Sequence, residues 1–359
     1  MDGGIVTKRP PVTSSMVAER AGVSQSAVSR TFTPGASISS KTRAKVLAAA
    51  KELGYRPNAI ARSLITSRSR IIAVVMAYLE NLFYPDVLEE LGRRLAAENY
   101  HLLLFTGLLD RDSDPLFDQI MQYRVDGIIL ASTSLSSELS DECTTAGIPV
   151  VLFNRTTEKN QASSVTSRNR EGGRMLADFL VAGGHKSFGY VAGIENSSTN
   201  RDRLLGFREG LKAAGITKFE VRTGNYNRAE AEAAARELLS LKKRPEAIFV
   251  ANDHMAVAVM DVARYEFGLN IPADLSIVGY DDVGPARWPS YGITSVTQPI
   301  APMVEATVDI LMDQIASGEI EPQHKVIPGE LIVRTSARLP KKGIVERDGV
   351  KFYKPASAR

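Results

Sequence analysis

Apolar residues recur along this chain in two rhythms. Between residues 12 and 57 they come at helical spacing, and from residue 71 onward short apolar runs alternate with longer stretches of helical period. In the first region Thr13 is placed to cap a helix carrying Val17, Ala18 and Ala21, and Gly22 breaks it. Ser24 caps a second helix with Ala27, Val28 and Phe32 pointing inward, which leaves Gln25, Ser26, Ser29 and Arg30 on its open face. A third helix starts near Ser39 or Ser40 and runs from Lys41 to Leu53. Its buried side carries Val46, Leu47, Ala50 and Leu53, and Gly54 stops it. The tight turn through Gly22 joins two helices with small side chains, as a close crossing requires.

In the second region the runs are IIAVVM (71–76), HLLLF (101–105), GIIL (127–130), PVVLF (149–153), FGYVA (188–192), AIFVA (247–251) and SIVGY (276–280). Helical patterns lie between them at 86–97, 170–181, 203–214, 229–241 and 255–267. Strands separated by helices predict right-handed βαβ units and parallel sheets buried on both faces. Roughly 270 residues is too long for one small open sheet, so two lobes with a cleft between them are expected. The fold class is therefore a small all-α helix-turn-helix headpiece followed by a two-lobed α/β core.

The formal charge of +3 on 359 residues seems to argue against nucleic acid, but it averages unlike regions. Residues 1–70 hold 12 basic residues against 3 acidic, a net +9, residues 71–339 carry −10 and residues 340–359 carry +4. Attraction for phosphate is thus concentrated at the N-terminal end. One cysteine, Cys143, precludes an internal disulfide, and neither an apolar signal core nor a membrane-length apolar run is present, so a cytoplasmic location is expected, with no membrane partner.

The segment VTSSMVAERAGVSQSAVSRTFTPGASISSKTRAKVLAAAKELGYRPNAIARSL resembles the headpiece of the lactose/galactose repressor family of bacterial transcription factors, with AERAGVS, AVSR and LGYRPN in that family's order. The resemblance implies that Gln25 and Ser26 open a recognition helix and read bases. It also implies that Ser29 and Arg30 add base or phosphate contacts and that Ser37 lies near the backbone, with Thr13 also among the DNA-binding residues. Asn58 to Ile65 would be a hinge helix, with Asn58 as cap, Arg62 facing DNA and Leu64 pushed into the minor groove. Read on its own residues, that segment makes about two helical turns after Pro57, too short to persist without a partner, or else it is an ordinary linker.

The resemblance continues through RVDGIIL, AGIPVVLFNR, RLLGF, FVANDHMAVAVM, GYDD and PGELIVRTSARL, which are similar to the family's effector core and to type I periplasmic sugar-binding proteins. In open α/β sheets ligands sit beyond the carboxyl ends of strands. By motif, Arg203, Asn252 and Asp281 are effector-binding positions, and Asn154 stands where the family often has aspartate. Arg203 offers a fork of donors, Asp281 accepts from paired hydroxyls and Asn252 does both. Trp288, the only tryptophan, stacks on a sugar face or packs as a loop aromatic, and Phe83 and Tyr84 do so from the other lobe or serve as core contacts at a helix start. Arg203 and Asp281 have an alternative as a surface ion pair, and Asp253 with His254 reads as a surface helix start.

No metal-ligand spacing joins His101, His185, His254 and His324, no phosphate-loop glycine motif occurs, and no cofactor is implied. The reading is a non-enzymatic, ligand-responsive regulator. Its headpiece spans 1–57, its hinge and linker 58–70, its effector-binding and dimerisation core 71–339 and a basic tail 340–359. A homodimer would grip a near-palindromic operator, and a small polyol, sugar or sugar acid would bind between the lobes. A solute-binding protein or a ligand-processing enzyme of the same body fold is the alternative.

Overall fold

The computed structural model describes residues 12–33, 35–57, 68–77, 79–107, 114–131, 142–157 and 162–355. Two compact units divide between Ser69 and Arg70.

In the first unit, α1 (Ser14–Ala21), α2 (Gln25–Thr31) and α3 (Ser40–Leu53) each start on a hydroxyl cap. Thr13 Oγ1 accepts from the Met16 amide at 3.4 Å, Ser24 Oγ from Ala27 at 3.3 Å and Ser39 Oγ from Thr42 at 3.1 Å. Val17, Ala18, Val28, Val46, Ala49 and Ala50 form the buried core, and Phe32 and Tyr55 close it with ring centroids 5.8 Å apart. Leu47, expected inside, is 46% exposed. The buried stripe of α3 runs through 46, 49, 50 and 53, and at about 100° per residue position 47 falls off its edge.

The second unit opens with β1 (Ile71–Met76), α4 (Phe83–Ala97), β2 (His101–Thr106), α5 (Asp114–Gln122), β3 (Gly127–Ala131), β4 (Val150–Phe153) and β5 (Ser163–Ser167). It continues with α6 (Asn169–Ala182), β6 (Phe188–Ala192), α7 (Ser198–Ala213), β7 (Glu220–Thr223), α8 (Arg228–Leu239), β8 (Ala247–Val250) and α9 (Asp253–Asp261). The remaining elements are β9 (Ser276–Asp281), β10 (Thr294–Thr297), α10 (Ile300–Ser317), β11 (His324–Ile327), β12 (Leu331–Val333), β13 (Ile344–Arg347) and β14 (Val350–Tyr353). One sheet is parallel throughout, in the order β11-β5-β4-β3-β1-β2. The other runs β13-β14-β12-β10-β9-β8-β6-β7, and its β12, β14 and β13 are antiparallel, so the expected all-parallel pattern holds only for part of it.

Three connections carry the chain between the sheets, after β5, after β10 and after β11. Two of them start from polar strands, SSVTS and TSVT, which apolar runs do not reveal. All five residues of β5 are buried, which hydrogen bonding of their hydroxyls permits: Ser163 accepts from Gln314 and Ser164 bonds His324.

The helix expected over 255–267 ends at Asp261 and widens into a π turn, Val262–Glu266. The basic tail is not a separate segment as far as Pro355. Asp348 and Gly349, at φ 51° and 76°, make a two-residue turn between β13 and β14, and Tyr353 packs edge-on to Phe179 at 5.2 Å. Among the described residues no helix is long and apolar enough to cross a membrane.

Candidate functional site

The headpiece presents one polar face. Gln25, Ser26, Ser29 and Arg30 are all exposed on α2, at the spacing that puts them on one side, and Thr13 and Ser37 are exposed as well. Their mutual bonds are weak or short-range. Gln25 Nε2 donates to Ser14 Oγ at 2.8 Å, Ser26 Oγ shares a proton with Ser24 Oγ at 2.9 Å, and Arg30 reaches Ser26 only at 3.4 and 3.5 Å. Arg20 pairs with Glu52 and Arg43 donates to the Thr31 carbonyl, so these two arginines brace the helices while Arg30 faces solvent. Asn58, Arg62 and Leu64 lie outside the described residues.

In the core, the carboxyl ends of β1, β4, β8 and β9 converge on a cleft. Phe83, Tyr84, Asn154, Arg203, Asn252 and Asp281 all line it, and so do Asn81, Arg155, Thr199 and Tyr226. Phe83 and Tyr84 are core contacts at the start of α4, with Phe83 stacked 6.3 Å from Phe153, and each also borders the cleft. Trp288 is not brought in. Ala286 buries itself in the 3-10 turn Gly284–Arg287, and Trp288, just past it, is left 55% exposed and outside the cleft lining.

Arg203 is 2% exposed and its donors are spoken for. Nε donates to Asn169 Oδ1 at 2.8 Å, Nη1 to the Ala251 carbonyl at 2.5 Å, and Nη2 lies 3.2 Å from Asp281 Oδ1, while the Tyr280 ring lies under the guanidinium at 3.7 Å. Burial works against its charge, but Asp281 and the neighbouring tyrosines outweigh burial and its pKa stands above the ordinary value. For Asp281, burial outweighs Arg203 and the Gln298 amide, pushing the carboxyl up to about 6. This pair is therefore buried, not a surface ion pair.

Two network members, Asn169 and Gln298, sit at interlobe connections. Ser167 donates to both side-chain oxygens, at 3.2 and 3.1 Å, and Gln298 Nε2 donates to Asp281 Oδ1 at 2.7 Å. The groups facing a ligand are thus wired to the segments that must bend if the lobes move. Neither was singled out from sequence, because the strands preceding them carry serine and threonine.

Asp253, read as a surface residue, is fully buried. Its carboxyl accepts from Ser295 Oγ at 2.9 Å and from the Val283 amide at 3.2 Å, which ties α9 to the loop after β9. Burial, then the charges of Asp281 and Asp282, hold its pKa well above the usual carboxylate range. Asn252 Oδ1 caps α9 on Met255 at 3.0 Å, which leaves its buried Nδ2 unpartnered, and Asn154 Oδ1 is likewise buried and unpartnered. Buried polar atoms are expected to find partners, so both point to a polar ligand.

Arg155 and Thr199 fall in the strand-end groups of the sequence, but neither was assigned as an effector-binding position. Arg155 Nη1 donates to Thr199 Oγ1 across the cleft at 2.6 Å, and Thr199 in turn bonds the Tyr226 hydroxyl at 3.1 Å. The available signal was position: Arg155 follows Asn154 at a strand end, and Thr199 opens α7.

Comparison with known proteins matches residues 16–58 to the family described as bacterial regulatory proteins, lacI family, and residues 177–337 to a periplasmic binding protein-like domain. The chain is similar to the HTH-type transcriptional regulator CelR of Thermobifida fusca, 33% identical over 338 residues that cover 92% of this chain and 98% of that protein. It is similar to the HTH-type transcriptional repressor PurR of Vibrio campbellii, 29% identical over 327 residues covering 90% and 97%. Among solved structures, the CelR–cellobiose complex superposes with a TM-score of 0.69 at 32% identity, covering 92% of this chain and all of that one. The lac repressor dimer bound to operator and the anti-inducer ONPF superposes with a TM-score of 0.80 at 27% identity, covering 91% and 99%.

Proposed function

The chain belongs to the lacI family of bacterial regulatory proteins and is a ligand-responsive transcriptional regulator; on that premise we propose that it is a cytoplasmic, homodimeric repressor controlled by a small polyol or sugar-type effector. Two headpieces occupy successive major grooves of a near-palindromic operator, with Gln25 and Ser26 reading bases, Ser29 and Arg30 adding contacts, and Thr13 and Ser37 on the backbone. Hinge residues Asn58, Arg62 and Leu64 order in the minor groove between them.

The observation that carries the effector reading is the buried, unpartnered pair Asn154 Oδ1 and Asn252 Nδ2, facing the same cleft as the Arg203–Asp281 pair. A hydroxyl donates to one, accepts from the other and binds Asp281, which a purely apolar ligand cannot do. Because Asp281 and Arg203 hold Gln298 and Asn169, a ligand that changes their bonding changes the interlobe connections and through them the dimer and hinge.

Anisotropy titration against a genomic operator tests the DNA side. Arg30→Ala is expected to weaken binding by about 1–3 kcal/mol, and wild-type affinity should fall steeply with salt. Affinity indifferent to Arg30→Ala, Leu64→Ala and salt would sink the assignment of operator contacts.

A further inference from the structure

We propose that the effector is a monoanionic polyhydroxy acid, with its carboxylate on Arg155 and its hydroxyls on Asp281, Asn154 and Asn252; this rests on the cleft being the effector site. The described cleft lining carries two guanidinium groups, Arg155 and Arg203, and one carboxylate, Asp281. Arg203 is matched to that carboxylate and has its remaining nitrogens engaged. The second acid of the same loop, Asp282, is turned away to Arg334 at 2.6 Å and Arg287 at 3.0 Å. One positive charge remains.

That charge belongs to Arg155, which is 8% exposed. Both its hydrogen bonds use Nη1, to the Asn154 carbonyl at 3.1 Å and to Thr199 Oγ1 at 2.6 Å, and among the described residues no acidic side chain pairs with it. The Nε–Nη2 edge, the edge a carboxylate engages with two parallel bonds, has no acceptor among the described residues. Asp281 acts on Arg155 as well as on Arg203, so one carboxylate of the described lining faces two guanidinium groups, and a neutral sugar would leave that surplus of positive charge in place. A ligand carboxylate removes it.

Asn154 sharpens the point. It lies at the end of β4 directly before Arg155, 4% exposed, with Oδ1 unpartnered. An aspartate there would put a carboxylate beside the guanidinium; asparagine keeps the shape and leaves the charge for the ligand to bring.

The test uses the full chain in thermal-shift and calorimetric titrations against D-glucuronate, D-galacturonate and D-gluconate, each paired with D-glucose, D-galactose and D-glucitol, and against guanine. At least one acid is expected to stabilise the protein and to bind about tenfold or more tightly than its neutral partner. Asn154→Asp, an isosteric change, should lower the affinity for that acid at least about tenfold while leaving the neutral partner's within about threefold, and Arg155→Gln should do the same. An acid that binds equally well to both variants overturns the proposal, as does a panel in which no acid binds or in which a neutral sugar or guanine binds as tightly. Asp281→Asn separates the two levels. A neutral ligand whose binding is lost in Asp281→Asn keeps the cleft as effector site and overturns only the anion, whereas a ligand indifferent to Asp281→Asn removes the cleft reading as well.

Discussion

The two lobes of the core are built alike but set different residues at matched corners of the cleft. Their parallel strands follow the same order, β2-β1-β3-β4-β5 in one and β7-β6-β8-β9-β10 in the other, so the end of β4 is the counterpart of the end of β9. At both ends non-glycine residues take positive φ: Asn154 at 59° in the first lobe, Asp281 at 109° and Asp282 at 58° in the second. Holding such residues there is strained and occurs where side chains must be aimed. The first lobe aims an amide followed by a cation; the second aims one acid, Asp281, and turns the next, Asp282, onto Arg334 and Arg287. The fold decides where the cleft groups stand, and the residue types at those matched corners decide what charge the ligand must bring.

The largest effect should come from the second lobe's pair. Arg203→Ala strands Asp281 and Asn169 in a closed interior, and removing one partner of a buried pair costs about 3–5 kcal/mol. Urea unfolding of the core would read it. A loss below about 1 kcal/mol would mean the pair is solvated and the lobes differ less than their burial indicates.

Next comes the helix layer that carries Arg203. Helices α6 and α7 cross so closely that a Cβ on Gly206 would lie 1.8 Å from the Arg170 carbonyl oxygen, which gives the glycine of R-L-L-G-F its reason. Gly206→Ala should destabilise by about 1–3 kcal/mol. In α4 of the first lobe, Gly92 has open space around its Cβ position, so Gly92→Ala should stabilise by about 0.4–1 kcal/mol. Opposite signs from the same substitution, measured by thermal melting, would establish that the close crossing is confined to the second lobe; equal signs would break that contrast.

Much of this was legible in the sequence. The apolar runs at 71–76 and 188–192 correspond to β1 and β6, and the strand-end rule brought Phe83, Tyr84, Asn154, Arg203, Asn252 and Asp281 to one cleft. What stayed hidden follows from chemistry. β5 and β10 are strands of serine and threonine whose burial depends on partners far along the chain, so Asn169 and Gln298 behind them gave no signal. Asp253 looked exposed because it is charged and next to a histidine, yet Ser295 and the Val283 amide make its burial tolerable. The tail hairpin carries a basic surplus on its outer face and one inward anchor, Tyr353, too little apolar pattern to announce a strand pair.

A smaller effect separates the lobes by pH. Asp281 has a folded pKa of about 6 against an ordinary value of 3.8, so the folded state holds its proton more tightly than the unfolded chain. This group therefore adds stability as pH falls through 6, about 1 kcal/mol between pH 7 and 5. The sign is opposite for Glu90 on the first lobe, whose pKa is lowered by Arg93 and whose contribution is lost as pH falls. Asp281→Asn should remove the gain, seen as a flatter stability profile between pH 7 and 5 than the wild type's. An unchanged slope would assign the titration elsewhere, with Asp253 the next buried acid to replace.

The smallest effect concerns the aromatics. Phe83 and Tyr84 of the first lobe border the cleft, whereas Trp288 of the second stands outside it, more than half exposed. Trp288→Ala should therefore leave effector affinity within about twofold, the scale of a surface substitution. Phe83→Leu, which takes away a buried ring against Phe153, should weaken it several-fold more. Calorimetry with the tightest-binding acid compares them directly. A tenfold loss from Trp288→Ala would require the loop after β9 to swing that ring over the ligand, and the second lobe would then contribute an aromatic face as well as its carboxylate.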